Sequence, residues 1–256
     1  MLRPYGRSHW GVSASEFAYA LSMTADLTPH VVMAIAAEAE VTGIAYKSLS
    51  RFYELPPEVK GLRTLDVCSG MSDFAYGLRQ RGAGAYALDL LYADFRLLRA
   101  RHQESFREVA RDVFQTNPDG VKARKIYQGY VQSFQASLKK RPRFYVAGSA
   151  THLPFADASF DLVTSFNGVF GTLDFDIRAL SQALAEVVRV LRPGGSLQLL
   201  PYQKGPILDD HQRQNQIEAV EALGAADASL GFSDTVARES ALLGGGVARL
   251  TITKAG

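Results

Sequence analysis

The fold is decided by one stretch of the sequence, Arg63-Thr64-Leu65-Asp66-Val67-Cys68-Ser69-Gly70-Met71-Ser72-Asp73, which changes character half-way along. Its first half is a short apolar run bounded by a turn signal, and this pattern predicts a buried β-strand. Ser69-Gly70 predicts the turn, and Asp73 is of a type that caps the helix expected to follow. Strand, turn and helix in this order are the first half of a βαβ unit.

The segments that follow extend this unit into a regular alternation of strands and helices. A second strand is predicted to end at Asp89, which lies 19 positions after Gly70. Residues 91–143 have helical periodicity, and about 112–142 is interpreted as a helical insertion because the stretch is longer than a crossover needs. The remaining predicted strands are 144–147, 160–165, 196–200, about 228–238 and about 247–254, the remaining predicted helices are 176–191 and 209–223, and a turn is predicted at 192–195.

This alternation predicts an α/β fold of the Rossmann-like, doubly wound type with a mostly parallel, seven-stranded sheet. Residues 1–60 are predicted to form an N-terminal helical segment that acts as a lid, and residues 61–256 the main domain. Ligands of such sheets bind beyond the carboxyl ends of the strands, where the strand order reverses. We therefore expect the functional side chains directly after the predicted strands.

Composition narrows the class of protein. Hydrophobic residues make up 47% and charged residues 21%, as in ordinary globular domains, and the net charge of +2 gives no general attraction to polyanions. The one cysteine, Cys68, cannot form an internal disulfide, which fits a reducing compartment and predicts a cytoplasmic protein. The most apolar early stretch, residues 31–37, is far shorter than the roughly 20 residues that cross a bilayer. No membrane partner is therefore predicted.

Three stretches carry a resemblance to a known family. In residues 66–72, Asp66 and Gly70 match a motif of an acidic residue followed by alternating glycines, with Cys68 and Ser72 in place of two of those glycines. Residues 148–163 read GSATHLPFADASFDLV, and residues 186–195 read EVVRVLRPGG. In this order, over about residues 62–200, the chain resembles the class I S-adenosylmethionine-dependent methyltransferases.

The resemblance implies S-adenosylmethionine as cofactor and assigns residues to it. Asp89 would hold the ribose hydroxyls, and Asp66 would position the first turn and the cofactor's amino group. Ser149 stands where the family has an acidic residue that holds the adenine amino group, so here a neutral hydroxyl group would accept that hydrogen bond. The full set of predicted cofactor residues is Asp66, Cys68, Ser69, Gly70, Asp89, Leu90, Ser149, Ala150, Thr151, Ser165 and Phe166.

The acceptor side is less well defined by the sequence. Asn167 and Phe170, after the fourth predicted strand, are candidates for the substrate pocket, although an Asn before Gly is equally explained as a turn. The lid would bring Tyr5, His9 and Trp10 close to the substrate, and the alternative is that these aromatic residues only pin the terminus. No catalytic residue is assigned, because alignment alone can supply much of the rate of methyl transfer. The five histidines show no metal-ligand spacing, so no metal is predicted.

These observations predict methyl transfer to a small-molecule acceptor, with three alternatives left open. The first is a methyltransferase-like protein that does not methylate, because Cys68, Ser72 and Ser149 depart from the family pattern. The second is an RNA methyltransferase, for which basic clusters at 122–125 and 139–143 are the only support. The third is a nicotinamide-dependent oxidoreductase, which lacks its full glycine fingerprint. A monomer and a homodimer are both compatible with the sequence.

Overall fold

The computed structural model describes residues 46–94, 96–98, 100–101, 128–129, 132, 134–136, 139, 142–202, 209–240 and 245–256. The predicted lid residues Tyr5, His9 and Trp10 lie outside the described residues, as does most of the predicted insertion at 112–142. At 96–98, 100–101 and the described positions between 128 and 139, the backbone is helical, in agreement with the predicted periodicity.

The described residues form one sheet with helices packed against it. Its strands are β1 (Arg63–Val67), β2 (Gly84–Asp89), β3 (Tyr145–Ala147), β4 (Phe160–Phe166), β5 (Leu191–Leu200), β6 (Leu230–Ser240) and β7 (Gly245–Lys254). The helices are α1 (Tyr46–Phe52), α2 (Phe74–Gln80), the short α3 (Val169–Thr172), α4 (Ile177–Val190) and α5 (Asp210–Ala226). Two 3₁₀ turns cover Leu90–Ala93 and Pro142–Phe144.

The sheet has seven strands in the order β3-β2-β1-β4-β5-β7-β6. Neighbours from β3 to β5 are parallel, whereas β7 runs antiparallel to both β5 and β6. The strand order reverses between β1 and β4, which places a crevice beyond the carboxyl ends of these two strands. The predicted fold class, an α/β protein with a doubly wound, mostly parallel sheet, is confirmed.

Helix α4 shows why the alternating pattern gives this fold. Its buried residues recur at helical spacing and form one apolar face against the sheet. The Asp176 carboxylate accepts hydrogen bonds from the Arg178 and Ala179 amides, which satisfies the first turn. At the other end, the Lys254 ammonium donates to the Val188 and Leu191 carbonyls. The last strand of the sheet therefore also closes the helix that crosses it.

Two local predictions are corrected by the structure. Asp73 occupies the position before α2 but makes no capping bond there, because its carboxylate accepts the Tyr46 amide of α1. The Ser72 hydroxyl group accepts the Phe74 amide instead, at 3.1 Å. The turn predicted at 192–195 is a bulged beginning of β5, where the pairing with β4 shifts register between Phe160 and Leu162. In both places, a tertiary contact replaces the local one.

A row of polar side chains crosses the middle of the apolar sheet. Asp66 pairs in register with Thr164, and Thr164 with Gln198. Gln198 makes two hydrogen bonds to the backbone of Glu54, at 2.8 and 3.0 Å, while the buried Arg249 guanidinium donates to the Phe52 carbonyl. The segment after α1 is thereby fixed to the sheet. Among the described helices, none is long and apolar enough to span a membrane.

Candidate functional site

The turn after β1, residues 68–72 and here called the β1 turn, has the backbone conformation of a glycine-rich loop. Gly70 has a φ of +53°, and Cys68, where the resembling family has a glycine, has a φ of +54°. Positive φ is uncommon for a residue with a Cβ atom and costs about 1 kcal/mol or more. The cysteine therefore keeps the shape of the turn without the glycine.

Asp89, at the end of β2, is bound to the β1 turn. Its Oδ2 accepts the Gly70 amide at 2.9 Å, and its Oδ1 accepts the Leu91 amide at 2.8 Å. The Tyr92 hydroxyl group, one turn further on, donates to the Gly70 carbonyl at 2.8 Å. Burial raises the pKa of Asp89, and the two backbone amides oppose that rise. Each carboxylate oxygen retains acceptor capacity for one further hydrogen bond.

The amides of the β1 turn are largely engaged within the protein. Besides the Gly70 amide, the Ser69 amide donates to the Leu88 carbonyl at 3.0 Å, and the Ser72 amide donates to the Ser69 carbonyl at 3.1 Å. A glycine-rich turn that binds a pyrophosphate does so through free backbone amides at the start of its helix. In this turn, the Gly70 amide is bound instead by the Asp89 carboxylate.

Asp66 lies beneath the same turn. It is 3% exposed, and it accepts the Ser69 hydroxyl at 2.6 Å and the Thr164 hydroxyl at 2.8 Å. Burial raises the pKa of Asp66 to about 6, the two hydroxyl groups lower it, and the nearby Asp89 charge adds to the rise. Burial and then the Asp66 charge also raise the pKa of Tyr53, whose buried side chain belongs to the segment after α1.

The segment after β3, residues 148–157, begins with buried residues at the same edge of the sheet. Ser149, Ala150 and Thr151 are all buried. The Ser149 and Thr151 hydroxyl groups lie 2.7 Å apart and share a hydrogen bond, and the Thr151 amide donates to the Ser149 hydroxyl at 3.2 Å. Paired hydroxyl groups can turn either a donor or an acceptor toward a ligand, unlike a carboxylate, which only accepts.

Glu186 and Arg189 of α4 bind the segment after β3 by hydrogen bonds. The Glu186 carboxylate accepts the Leu153 amide at 2.7 Å, and the Arg189 guanidinium donates to the Leu153 and Phe155 carbonyls and to Asp157. The hydrogen bonds from Arg189 lower the pKa of Glu186, and those to Glu186 raise the pKa of Arg189. The helix therefore fixes the path of residues 153–157.

The segment after β4, residues 167–174 and here called the β4 loop, lies beside the β1 turn at the carboxyl-end edge of the sheet. Asn167 has a φ of +53°, and its amide donates to the Leu200 carbonyl at 2.7 Å. Gly168 lies against the β1 turn, since a Cβ atom there would come within 2.2 Å of the Cys68 Cβ. The buried Phe170 ring stacks on Tyr202, with centroids 5.6 Å apart. The β1 turn and the β4 loop are therefore in direct contact.

The structure brings most of the predicted site residues together at one sheet edge, with Ser165, Phe166, Asn167 and Phe170 on the β4 side. The Ser165 hydroxyl group accepts the Val169 amide at 3.0 Å. Leu90 follows Asp89 directly in the 3₁₀ turn. Tyr92 and Asp174 were not predicted. Tyr92 carries a weak signal, an aromatic residue three positions after the key carboxylate, whereas nothing local distinguishes Asp174.

Comparison with known proteins agrees with this geometry. A family model described as a methyltransferase domain matches residues 121–199. The match covers less than a third of the chain. It agrees with the family resemblance found in the sequence, and the matched residues include the segment after β3, the β4 loop and α4.

Named relatives show the same similarity. The chain is 28% identical over 144 residues to a ubiquinone/menaquinone biosynthesis C-methyltransferase of Dinoroseobacter shibae, covering 56% of this chain and 44% of that protein. It is 31% identical over 140 residues to a demethylmenaquinone methyltransferase of Deinococcus radiodurans, covering 55% of this chain and 43% of that protein. The matched region thus spans less than half the length of each of these relatives.

A solved structure of an S-adenosylmethionine-dependent methyltransferase from Methanosarcina mazei is also similar. It is 14% identical, with 79% of this chain and 99% of that chain covered and a TM-score of 0.46.

Proposed function

We propose that this protein transfers the methyl group of S-adenosylmethionine to a small-molecule acceptor in the cytoplasm. The single observation that carries the proposal is the buried Asp89 carboxylate, held by the Gly70 and Leu91 amides where β1 and β2 end. A carboxylate with one acceptor position left on each oxygen suits a pair of neighbouring hydroxyl groups, such as a ribose diol.

The engaged amides of the β1 turn favour this cofactor over a nicotinamide dinucleotide. S-adenosylmethionine has no phosphate, and it carries a sulfonium and an ammonium group. A turn flanked by the carboxylates of Asp66 and Asp89, with its Ser69, Gly70 and Ser72 amides already bonded, suits such a cation better than a pyrophosphate. The same feature weighs against the oxidoreductase alternative.

The other site residues have supporting roles in the proposal. Asp66 holds the β1 turn through Ser69 and is the candidate partner of the cofactor's ammonium group. The hydroxyl pair of Ser149 and Thr151 is the candidate contact for the adenine edge. The bound cofactor would supply a methyl group on a positively charged sulfur, a good leaving group. The protein's task is then to align the acceptor and exclude water, and no residue is assigned as a base.

The acceptor is proposed to be an aromatic small molecule, and a reduced quinone ring is the first one to test. The names of the two relatives support this choice, since one refers to ubiquinone and menaquinone biosynthesis and the other to demethylmenaquinone. The apolar character of the β4 loop, with Val169, Phe170 and Leu173 buried, is compatible with a flat apolar ligand.

Calorimetric titration with S-adenosylhomocysteine, the demethylated product, tests the cofactor half of the proposal. We expect saturable binding by the wild type and about a hundredfold weaker binding by Asp89→Asn, because a charged acceptor facing two hydroxyl groups is lost. The matched control is Asp234→Asn, which removes an exposed carboxylate on β6 and should bind like the wild type. Circular dichroism confirms that each variant is folded.

Methyl transfer is then measured with tritiated S-adenosylmethionine and a panel of short-chain quinols and phenols. Transfer to a panel member supports the proposal. Binding of S-adenosylhomocysteine without transfer to any of them would favour the non-methylating alternative. Absence of binding, or an affinity of Asp89→Asn within about threefold of the wild type, would overturn the assignment of the ribose.

A further inference from the structure

A third buried carboxylate, Asp174, lies in the β4 loop and is not one of the proposed cofactor contacts. Its side chain is fully buried. Its Oδ2 accepts the Gly171 amide at 2.8 Å and the Gln216 side-chain amide at 2.6 Å, and its Oδ1 accepts the Gln212 side-chain amide at 2.9 Å. All three donors are neutral. A buried charge is costly unless its hydrogen bonds are complete, so this arrangement depends on all of its partners.

The partners of Asp174 form a polar face on α5. Gln212, Asn215 and Gln216 recur at helical spacing and are all buried, where apolar residues would ordinarily pack. Asn215 donates to the Asp174 carbonyl at 2.7 Å, so the face binds both the backbone and the carboxylate of this residue. Buried polar networks of this kind specify one arrangement of the segments that they join.

The side-chain amide of Gln212 has a fixed orientation because its oxygen and its nitrogen both make hydrogen bonds. Its oxygen accepts the Asp209 amide at 3.1 Å and its nitrogen donates to Asp174, while its backbone amide donates to the Asp209 carboxylate. The capping box at the start of α5 is therefore joined to the β4 loop. Turning the Gln212 amide around would break its bond with the Asp209 amide, which is one half of the capping box.

The loop held in this way carries the candidate acceptor contacts. Asp174 fixes Gly171, which has a φ of +97° and approaches Asn167 so closely that a Cβ atom would come within 2.3 Å of Asn167 Oδ1. Phe170 lies between Asn167 and Gly171 in the sequence. The Thr172 hydroxyl group donates to the Asn167 carbonyl at 3.0 Å. The position of Asn167 and Phe170 thus depends on Gly171, and that of Gly171 on Asp174.

We propose that Asp174 is a positioning residue for the methyl acceptor: held by Gln212 and Gln216, it fixes the β4 loop so that Asn167 and Phe170 meet the acceptor. This inference rests on the proposed function, whose site it deepens. The cofactor contacts at Asp66, Asp89 and Ser149 do not pass through Asp174. Loss of its charge should therefore impair use of the acceptor and spare the cofactor.

Two substitutions test the hydrogen bond between Asp174 and Gln212 by exchanging its donor and its acceptor. In Asp174→Asn, the new amide nitrogen faces the donating nitrogen of Gln212, which cannot turn without breaking the Asp209 cap. In Gln212→Glu, two carboxylates face each other. In the double variant, the amide nitrogen introduced at position 174 would donate to one oxygen of the carboxylate introduced at position 212. The other oxygen of that carboxylate would accept the Asp209 amide, so the network closes again with the wild-type net charge.

We expect each single variant to unfold at a lower urea concentration and the double variant to recover most of the loss, a coupling typical of residues in one network. Hydrogen exchange should be faster at the Gly171 amide in Asp174→Asn and unchanged at the Gly70 amide. Asp210→Asn, which removes a fully exposed carboxylate from the same helix end, is the control and should match the wild type.

The functional measurement uses the panel member that the wild type methylates best. For Asp174→Asn, kcat/KM for this acceptor should fall about tenfold with a raised KM, while the affinity for S-adenosylhomocysteine stays within about twofold. Loss of folded protein would instead lower kcat and leave both KM values unchanged. The double variant should regain the acceptor KM.

An unchanged acceptor KM, unchanged exchange at Gly171 or no recovery in the double variant would overturn the inference. The unfolding cycle and the exchange measurement need no acceptor. Failure of the wild type to bind S-adenosylhomocysteine would overturn the proposed function, whereas these two measurements would still report on the network itself.

Discussion

The β1 turn and the β4 loop lie side by side at one edge of the sheet, yet they are held in different ways. The β1 turn is fixed by contacts close in sequence, through Asp66 to Ser69 and through Asp89 to Gly70, 19 positions apart. The β4 loop is fixed through Asp174 by side chains 38 and 42 positions away on α5. The first region is stabilised by its own motif, and the second by a helix that the motif does not include.

This difference suggests how the site divides its tasks. A turn whose hydrogen bonds come mostly from its own βαβ unit depends little on distant segments, which suits a constant ligand such as a cofactor. A loop whose shape depends on a distant helix changes when that helix changes, which suits a variable acceptor. The two regions meet at the contact between Gly168 and Cys68. A substitution there gives the strongest test of whether the two regions depend on each other.

Gly168→Ala should give the largest effect, since the new Cβ would lie within 2.2 Å of the Cys68 Cβ and force both regions to move. We expect a loss of about 3 kcal/mol in the free energy of unfolding, as for overpacking of a buried contact, measured by urea denaturation. Cys68→Gly in the same protein should restore at least half of it. A loss below about 1 kcal/mol would mean that the two regions are independent.

Asp66 offers a pH test of the β1 turn alone. Its pKa of about 6 in the folded protein exceeds the ordinary value, so the folded state favours the neutral carboxyl group. Stability from this group is fully present below about pH 4 and is lost as the pH rises through about 6, by about 3 kcal/mol. Unfolding measured from pH 4 to pH 7 should lose this part of its pH dependence in Asp66→Asn.

If Asp66 also meets the cofactor's ammonium group, affinity for S-adenosylhomocysteine should rise with pH through about 6 in the wild type, because binding needs the ionised carboxylate. Asp66→Asn should show no such rise. An equal rise in both proteins would remove Asp66 from the ammonium contact and leave it with the turn alone.

Arg189→Ala should give the smallest effect, because its side chain is partly exposed and its ion pairs are screened. We expect about 1 kcal/mol of lost stability and about fivefold weaker binding of S-adenosylhomocysteine, because residues 153–157 lose their support. Arg178→Ala on the same helix, where the side chain is 86% exposed, is the control and should change neither quantity. An equal effect in both variants would mean that Arg189 of α4 does not support the segment after β3.

The individual strands and the turn after β1 could be predicted from the amino-acid sequence. Apolar runs followed by turn residues predict each strand and its end, and residues at strand ends meet at one edge of a parallel sheet. Gly70, Asp89 and Ser149 could therefore be placed at this edge from their positions, whereas their expected roles, like that of Asp66, come from the family resemblance. Even Cys68 keeps the predicted turn, since the bonds of Gly70 to Asp89 and Tyr92 hold it.

The cap of α2 and the contacts of the β4 loop depend on packing and could not be predicted. Asp73 was expected to cap α2, but the amide of α1 competes for its carboxylate, and Ser72 takes its place. Asp174 carries no local signal, because its role depends on Gln212 and Gln216, which the chain brings beside it only after β5 and α5 have packed. Short-range hydrogen bonds leave a pattern in the sequence, whereas a buried charge satisfied by distant neutral amides leaves none, since its partners are chosen by packing.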